Sequence, residues 1–203
     1  PELGPDRWLV ANDTLTSGIT KVDSTLPIAK ILEQVSADGI RYRSFIRVNP
    51  IVKATSADAA LAFGEHIASF PIGVIRPVGA YVSLLSTCAT GLSATAGEVG
   101  LGSVIASGAA ATLGGTTTFG DLMDGTTLEN HVAATALRTR VSNLPDMTGT
   151  KPTNGIMVLD GSATAAKIHL NLASTWDQTA SESVTFGGLV VIDWEYVAVG
   201  DET

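Results

Sequence analysis

Lys167-Ile168-His169-Leu170-Asn171-Leu172 and, further along, Leu189-Val190-Val191-Ile192-Asp193-Trp194-Glu195-Tyr196-Val197 are the two runs that decide the fold. Apolar and polar side chains alternate in the first run, and the larger apolar residues of the second recur at every other position. Because successive side chains of a strand point to opposite faces, both runs predict β-strands. The polar segment 173–182 between them predicts a break. We therefore expect two antiparallel neighbours, each with one face in a core and one in water.

Length and composition favour one all-β domain. The chain has 203 residues, of which 16% are charged, against about 25% in an average protein. Residues 1–76 carry eight basic and eight acidic side chains, and residues 77–203 carry four basic and twelve acidic ones. The whole net charge of −8 therefore comes from residues 77–203. Nucleic-acid binding usually needs a basic surface that displaces counterions. We therefore expect no nucleic-acid partner.

The single cysteine and the lack of long apolar runs bear on the compartment. Cys88 is the only cysteine, so no intrachain disulfide can form, which favours a reducing environment. No run approaches the roughly 18 apolar residues of a membrane span, and the first residues do not resemble a secretory leader. These features predict a protein that is made in the cytoplasm and has no membrane partner.

Residues 1–25 are predicted to be an extended N-terminal arm, and residues 26–203 a single β-sandwich domain. The arm has two early prolines and few apolar residues, and Trp8 lies in its one short apolar stretch. Trp8 either holds the arm against its own domain or reaches a neighbouring subunit, which makes it a candidate partner contact.

One or two short helices are expected within the domain. Ile28, Ile31, Leu32 and Val35 follow helical spacing, and Gly39 stands where a helix cap belongs. The segment 126–141 begins with a capping-box pattern, so it is either a second short helix or a surface loop.

A strand over residues 40–48 carries a basic face. Arg41, Arg43 and Arg47 alternate with Tyr42, Ser44 and Ile46, and Phe45 lies among the arginines. Guanidinium groups bind carboxylates in a bidentate fork and stack on aromatic rings. The face is either a recognition surface for an acidic protein partner or a solvated face whose arginines pair with nearby acids.

No pattern of catalytic or metal-binding residues stands out. The three histidines, at 66, 131 and 169, have no metal-ligand spacing, and His169 is expected to lie exposed on the polar face of its strand. Asp193 and Glu195 share a strand face at about 7 Å, a separation that glycosidase carboxylates can have, but aromatic residues make up only 5% of the chain. We expect no enzyme activity, cofactor, metal or small-molecule substrate.

Glycines mark one strand as a place of close backbone approach. In the segment 98–105, Val99 and Leu101 alternate with Gly100 and Gly102. A strand side without Cβ atoms lets another segment pack directly on its backbone.

Several turn-and-strand phrases together resemble a known class of protein. They are Phe70-Pro71-Ile72-Gly73-Val74-Ile75, Val78-Gly79-Ala80, Gly102-Ser103-Val104-Ile105-Ala106-Ser107, the run Leu159-Asp160-Gly161-Ser162-Ala163-Thr164-Ala165-Ala166-Lys167-Ile168-His169-Leu170-Asn171, and Thr185-Phe186-Gly187-Gly188-Leu189-Val190-Val191-Ile192-Asp193-Trp194. Over about residues 63–197 the chain resembles small virion structural proteins of tailed bacteriophages, of the head decoration or capsid cement type.

The resemblance implies a jelly-roll-like antiparallel β-sandwich that forms a homotrimer on the capsid exterior. Its partners would be the major capsid protein, whose subunits it bridges, and copies of itself. It would be made in the host bacterial cytoplasm. The alternative is a phage tail, fibre or receptor-binding module that recognises a host surface glycan. For that role Trp176, in the break before the last strand, is the leading candidate contact.

Overall fold

The structure, a computed structural model, describes residues 6–11, 19, 28–37, 39–54, 62–88, 98–109, 113, 118–127, 137–143, 158–173 and 183–197. These residues form eleven strands and no helix. The strands are β1 (Asp6–Ala11), β2 (Ile28–Ser36), β3 (Arg41–Ala54), β4 (Ala62–Ser69), β5 (Gly73–Cys88), β6 (Glu98–Gly102), β7 (Met123–Thr127), β8 (Leu137–Asn143), β9 (Leu159–Gly161), β10 (Lys167–Ala173) and β11 (Ser183–Tyr196).

The strands build two antiparallel sheets. The larger sheet has the order β1-β2-β3-β11-β5-β8, and β9 also pairs with β5. The smaller sheet has the order β4-β10-β6-β7. From β3 to β6, and again from β9 to β11, the chain changes sheet at every connection, as in jelly-roll folds. The predicted all-β, jelly-roll-like antiparallel sandwich is confirmed.

The core lies between the sheets. The predicted inner faces of β10 and β11 are both buried in it, and Trp194 is only 1% exposed. The Trp194 ring stacks on Tyr42 with ring centroids 4.1 Å apart, and Phe70 meets it edge-on at 5.6 Å. Burying each large apolar side chain contributes about 1.5–3 kcal/mol to stability. These contacts make β11 the centre of the fold.

The predicted pairing of β10 with β11 is wrong. β10 pairs with β4 and β6 in the smaller sheet, whereas β11 pairs with β3 and β5 in the larger one. The two strands face each other across the core. Alternation reports which face of a strand is buried, and it does not report which strand lies beside it.

The predicted helix near Ile28 is also wrong, because this segment is β2. A bulge between Ile28 and Lys30 adds one residue, so Ile28 and Ile31 both point into the core despite their helix-like spacing. Gly39 serves the β2–β3 turn, where it has a φ of 71° and donates a hydrogen bond to the Ser36 carbonyl at 2.9 Å. A positive φ favours glycine.

The second predicted helix, over 126–141, is wrong at both ends. Its first two residues belong to β7, and residues 137–141 belong to β8. Residues 128–136 lie outside the described part of the chain. Within the predicted N-terminal arm, Asp6–Ala11 forms β1, which pairs with β2.

Candidate functional site

The outer face of the larger sheet carries the predicted arginines. Arg41, Arg43 and Arg47 alternate along β3 with buried residues, so all three project away from the core. This confirms the predicted basic face of the strand. The pairing of β3 with β2 on one side and with β11 on the other decides what lies beside each arginine.

Arg43 is engaged by an acid of the neighbouring strand. Asp193 lies directly opposite it in the β3–β11 pairing. Arg43 Nε donates to Asp193 Oδ1 at 2.6 Å and Nη2 donates to Oδ2 at 2.9 Å, which is a bidentate fork. This hydrogen bonding, and then the carboxylate charge, raise the pKa of Arg43. The pair is largely exposed, so it contributes at most about 1 kcal/mol to stability.

The second acid of this strand face is engaged as well. Glu195 forms an ion pair with Arg76 of β5, its partner in the β11–β5 pairing. Glu195 also lies opposite Arg41 in the β3–β11 pairing. Asp193 and Glu195 were considered above as a candidate glycosidase pair. In the structure each of the two carboxylates forms an ion pair with an arginine.

An apolar row crosses the outer face next to these ion pairs. It consists of Leu32, Phe45, Val191 and Tyr81, because Leu32 pairs with Phe45, Phe45 with Val191, and Val191 with Tyr81. All four side chains are half-buried. Sequence reasoning found only Phe45, since the other three come to its side through strand register.

A second row, two residues further along β3, carries unneutralised cations. Lys30 of β2 lies directly opposite Arg47, and both side chains are exposed. On the other side of Arg47 the row continues through Leu189 and Ser83 to the exposed Arg140 of β8. Among the described side chains no ion pair is formed by Lys30 or Arg47.

The outer face is basic although the chain is acidic. Its described side chains include six cations and three acids, which sum to +3. They are Lys30, Arg41, Arg43, Arg47, Arg76 and Arg140 with Asp160, Asp193 and Glu195. The whole chain has twelve cations and 20 acids, a net charge of −8. Everything outside these nine residues therefore sums to −11, so the face differs in sign from the rest of the molecule.

An open groove of about 660 Å³ runs along this face. The Arg43–Asp193 pair, Phe45 and Val191 line one part of it, and Val78 and Tyr81 line another. Gly79 lies opposite Asp193 in the β11–β5 pairing, and its missing side chain leaves room there.

Beneath this face the core contains a buried carboxyl group. Glu33 is fully buried, and its Oε1 accepts hydrogen bonds from Ile19 N–H at 2.8 Å and from Ser44 Oγ at 2.7 Å. The Ser44 hydroxyl in turn accepts from Trp194 Nε1 at 2.8 Å. Burial raises the pKa of Glu33, and the two hydrogen bonds oppose that rise. The network ties residue 19 to the inner side of the larger sheet.

The smaller sheet also has a covered outer face, contrary to the prediction that His169 lies exposed. Asn171 is fully buried there: its amide donates to the carbonyls of Val104 and Phe119, both at 2.9 Å, and its Oδ1 accepts from Ala106 N–H at 2.9 Å. The described residues after β6 therefore pack over β10.

Glycines make room for this covering segment, as predicted. A Cβ on Gly102 would overlap the Thr118 carbonyl oxygen, and one on Gly64 would overlap Asn171 Oδ1. The predicted close approach of another backbone to the glycine side of β6 is confirmed.

Two histidines meet on this covered side. His169 lies opposite His66 in the β10–β4 pairing, with ring centroids 5.2 Å apart. Burial, followed by the nearby His66, lowers the pKa of His169 to about 4, and burial lowers the pKa of His66. Both rings are therefore neutral at pH 7. No group of three or more metal-ligating side chains occurs among the described residues.

The remaining predicted contacts are less well placed. Trp8 belongs to β1, but its side chain is outside what the structure describes, and Trp176 lies outside the described residues altogether. Within the described residues, no helix is long and apolar enough to cross a bilayer. Of the five candidate contacts, the structure brings together Arg41, Arg43 and Arg47.

Comparison with protein-family models and with curated proteins finds no match to this chain.

Proposed function

We propose that this protein is a structural protein of a bacteriophage particle, a head decoration or cement protein that binds the capsid exterior and bridges major capsid subunits. The observation that carries the proposal is the outer face of the larger sheet. It is basic in an acidic protein, and half-buried apolar side chains run across it. Such a face suits adhesion to an acidic protein surface.

The architecture supports an adhesive role. β3, β5 and β11, which supply most of the face, are 14, 16 and 14 residues long and lie side by side in one sheet. The paired backbone of such long strands fixes the spacing of the side chains before a partner arrives. A preorganised surface loses less conformational entropy on binding than a loop would.

The proposal includes assembly as a homotrimer on the capsid exterior after synthesis in the host bacterial cytoplasm. β1 ends the described strand order of the larger sheet. An edge strand presents unpaired backbone groups, and assembly with other copies is one way in which proteins cover them. The partners are then the major capsid protein and further copies of this chain.

The test is to remove the protein from the particle and add it back. Phage heads made without it should bind the purified chain, measured by co-sedimentation, and should gain resistance to heat or osmotic shock. Mass spectrometry of separated heads and tails should find the chain with the heads. Recovery of the chain only with tails, or heads equally stable with and without it, would refute the decoration role.

The groove on the outer face favours a second candidate, a tail or fibre module that recognises a host glycan. Tyr81 and Phe45 offer ring faces, and the adjacent Arg43–Asp193 pair offers hydrogen-bonding groups. A sugar ring can stack on such aromatic side chains while its hydroxyls bind the charged pair. A glycan array tests this candidate: Tyr81→Ala should abolish any glycan signal, and an array without signal removes the candidate.

A further inference from the structure

The outer face separates into two parts that differ in how their charges are compensated. On one side of the apolar row, Asp193 and Glu195 neutralise Arg43 and Arg76. On the other side, Lys30 of β2 lies directly opposite Arg47 of β3. Among the described side chains no carboxylate lies between them. The predicted arginine trio therefore does not act as one unit.

Lys30 and Arg47 form a cation pair that an anion from outside would stabilise. Directly opposite side chains on antiparallel strands have Cβ atoms about 5 Å apart, and like charges in such a pair repel each other. Both side chains are exposed, so a carboxylate from another molecule can reach them.

The apolar row lies immediately beside the cation pair. Arg47 and Phe45 are two residues apart on the same face of β3, which corresponds to about 7 Å. A strip of aliphatic and aromatic side chains with a charged margin is the usual anatomy of a protein-binding surface, and Tyr and Arg are frequent among its strongest contacts.

We infer that the apolar row and the Lys30–Arg47 cation pair together form the docking surface of this protein, and that the occupant is an acidic protein surface with apolar side chains flanked by carboxylates. The inference deepens the proposed function, because it names the surface and the chemistry of the partner. A nucleic acid or sulfated polysaccharide fits less well. Neither offers the aliphatic side chains that would cover the apolar row, so burial of that row would contribute little to binding.

A matched pair of variants tests the surface. Arg47→Glu and Arg41→Glu reverse the same charge at two exposed positions of β3, but only Arg47 belongs to the cation pair. The probes are a random copolymer of glutamate and tyrosine, poly-glutamate, and heparin, with binding measured by calorimetry in 150 mM salt. Circular dichroism and the thermal midpoint show whether each variant is folded.

The copolymer should bind more tightly than poly-glutamate, because it also offers apolar side chains. Arg47→Glu should weaken copolymer binding by about tenfold or more, and Arg41→Glu by less than about threefold. Equal losses in the two variants, no binding of the copolymer, or tighter binding of heparin would overturn the inference. Co-sedimentation with phage heads separates the two proposals: if the copolymer results hold but heads do not bind, the decoration role fails and the docking surface stands.

Discussion

Acidification should destabilise this protein through His169, and the structure gives the size of the effect. The residue is 6% exposed, its Nδ1 lies 3.3 Å from the Gly102 carbonyl oxygen, and His66 and Lys167 are near. Burial is the largest cause that lowers the pKa of His169 from 6.5 to about 4. Above pH 6.5 the ring is neutral in both the folded and the unfolded chain. As the pH falls from 6.5 towards 4, the imidazole of His169 becomes protonated in the unfolded chain but stays neutral in the folded chain.

The difference between these two pKa values, at about 1.4 kcal/mol per pH unit, amounts to about 3 kcal/mol. The free energy of unfolding should therefore decrease by up to about 3 kcal/mol between pH 6.5 and 4 on account of this residue. Urea unfolding at several pH values measures it, and His169→Asn is the control, because its amide can replace the Nδ1–H donor without titrating. The wild-type curve should fall more steeply than that of the variant. Parallel curves would show that the ring is solvated in the folded state.

Three further substitutions test the rest of the account. Asn171→Ala removes the hydrogen-bond partner of the buried Phe119 carbonyl, the buried Ala106 N–H and the part-buried Val104 carbonyl, so the free energy of unfolding should decrease by about 2–5 kcal/mol in urea; a loss below about 1 kcal/mol would mean that water replaces the amide. Glu33→Gln removes a buried carboxyl group whose pKa is raised, and its destabilising effect therefore grows as the pH rises from the ordinary value of 4.5 towards the raised pKa. The thermal midpoint of the variant should rise relative to that of the wild type when the pH is raised from below 4.5 to neutral, and a constant difference would contradict this. Arg43→Ala breaks an exposed ion pair and should change stability by less than about 1 kcal/mol; a larger loss in the same urea assay would show that the pair supports the fold.

The sequence predicted the strands and their faces where the period-two pattern is regular. The predicted inner residues of β3 and β11 are buried except at the ends of the two runs, where Ile40 is 42% exposed and Tyr196 is half-buried. The pattern could not reveal that β10 and β11 lie in different sheets, because a strand buries the same face whichever neighbour it has. The bulge in β2 explains why the sequence pattern predicted a helix there. One inserted residue places the inward-facing Ile28 and Ile31 three positions apart instead of two, and three is also a helical spacing.

The candidate site was predictable in part. The three arginines follow from alternation along one strand. The apolar row and the cation pair depend on register across several strands, and no local pattern encodes that. The burial of His169 and Asn171 was missed because the covering segment is distant in sequence; the signal that could have revealed it was the glycine side of β6, where Gly102 admits that segment.

Hydroxyl-radical footprinting of the protein on phage heads tests the central claim most directly. Tyr81 and Phe45 are half-buried on the outer face and should be oxidised in the free protein, whereas the buried Trp194 serves as an internal reference. Binding to heads should protect Tyr81 and Phe45 several-fold and leave oxidation at Ile72, which is 60% exposed in a connection between the strands, unchanged. Equal oxidation of Tyr81 and Phe45 in free and bound protein would contradict the claim that this face holds the partner.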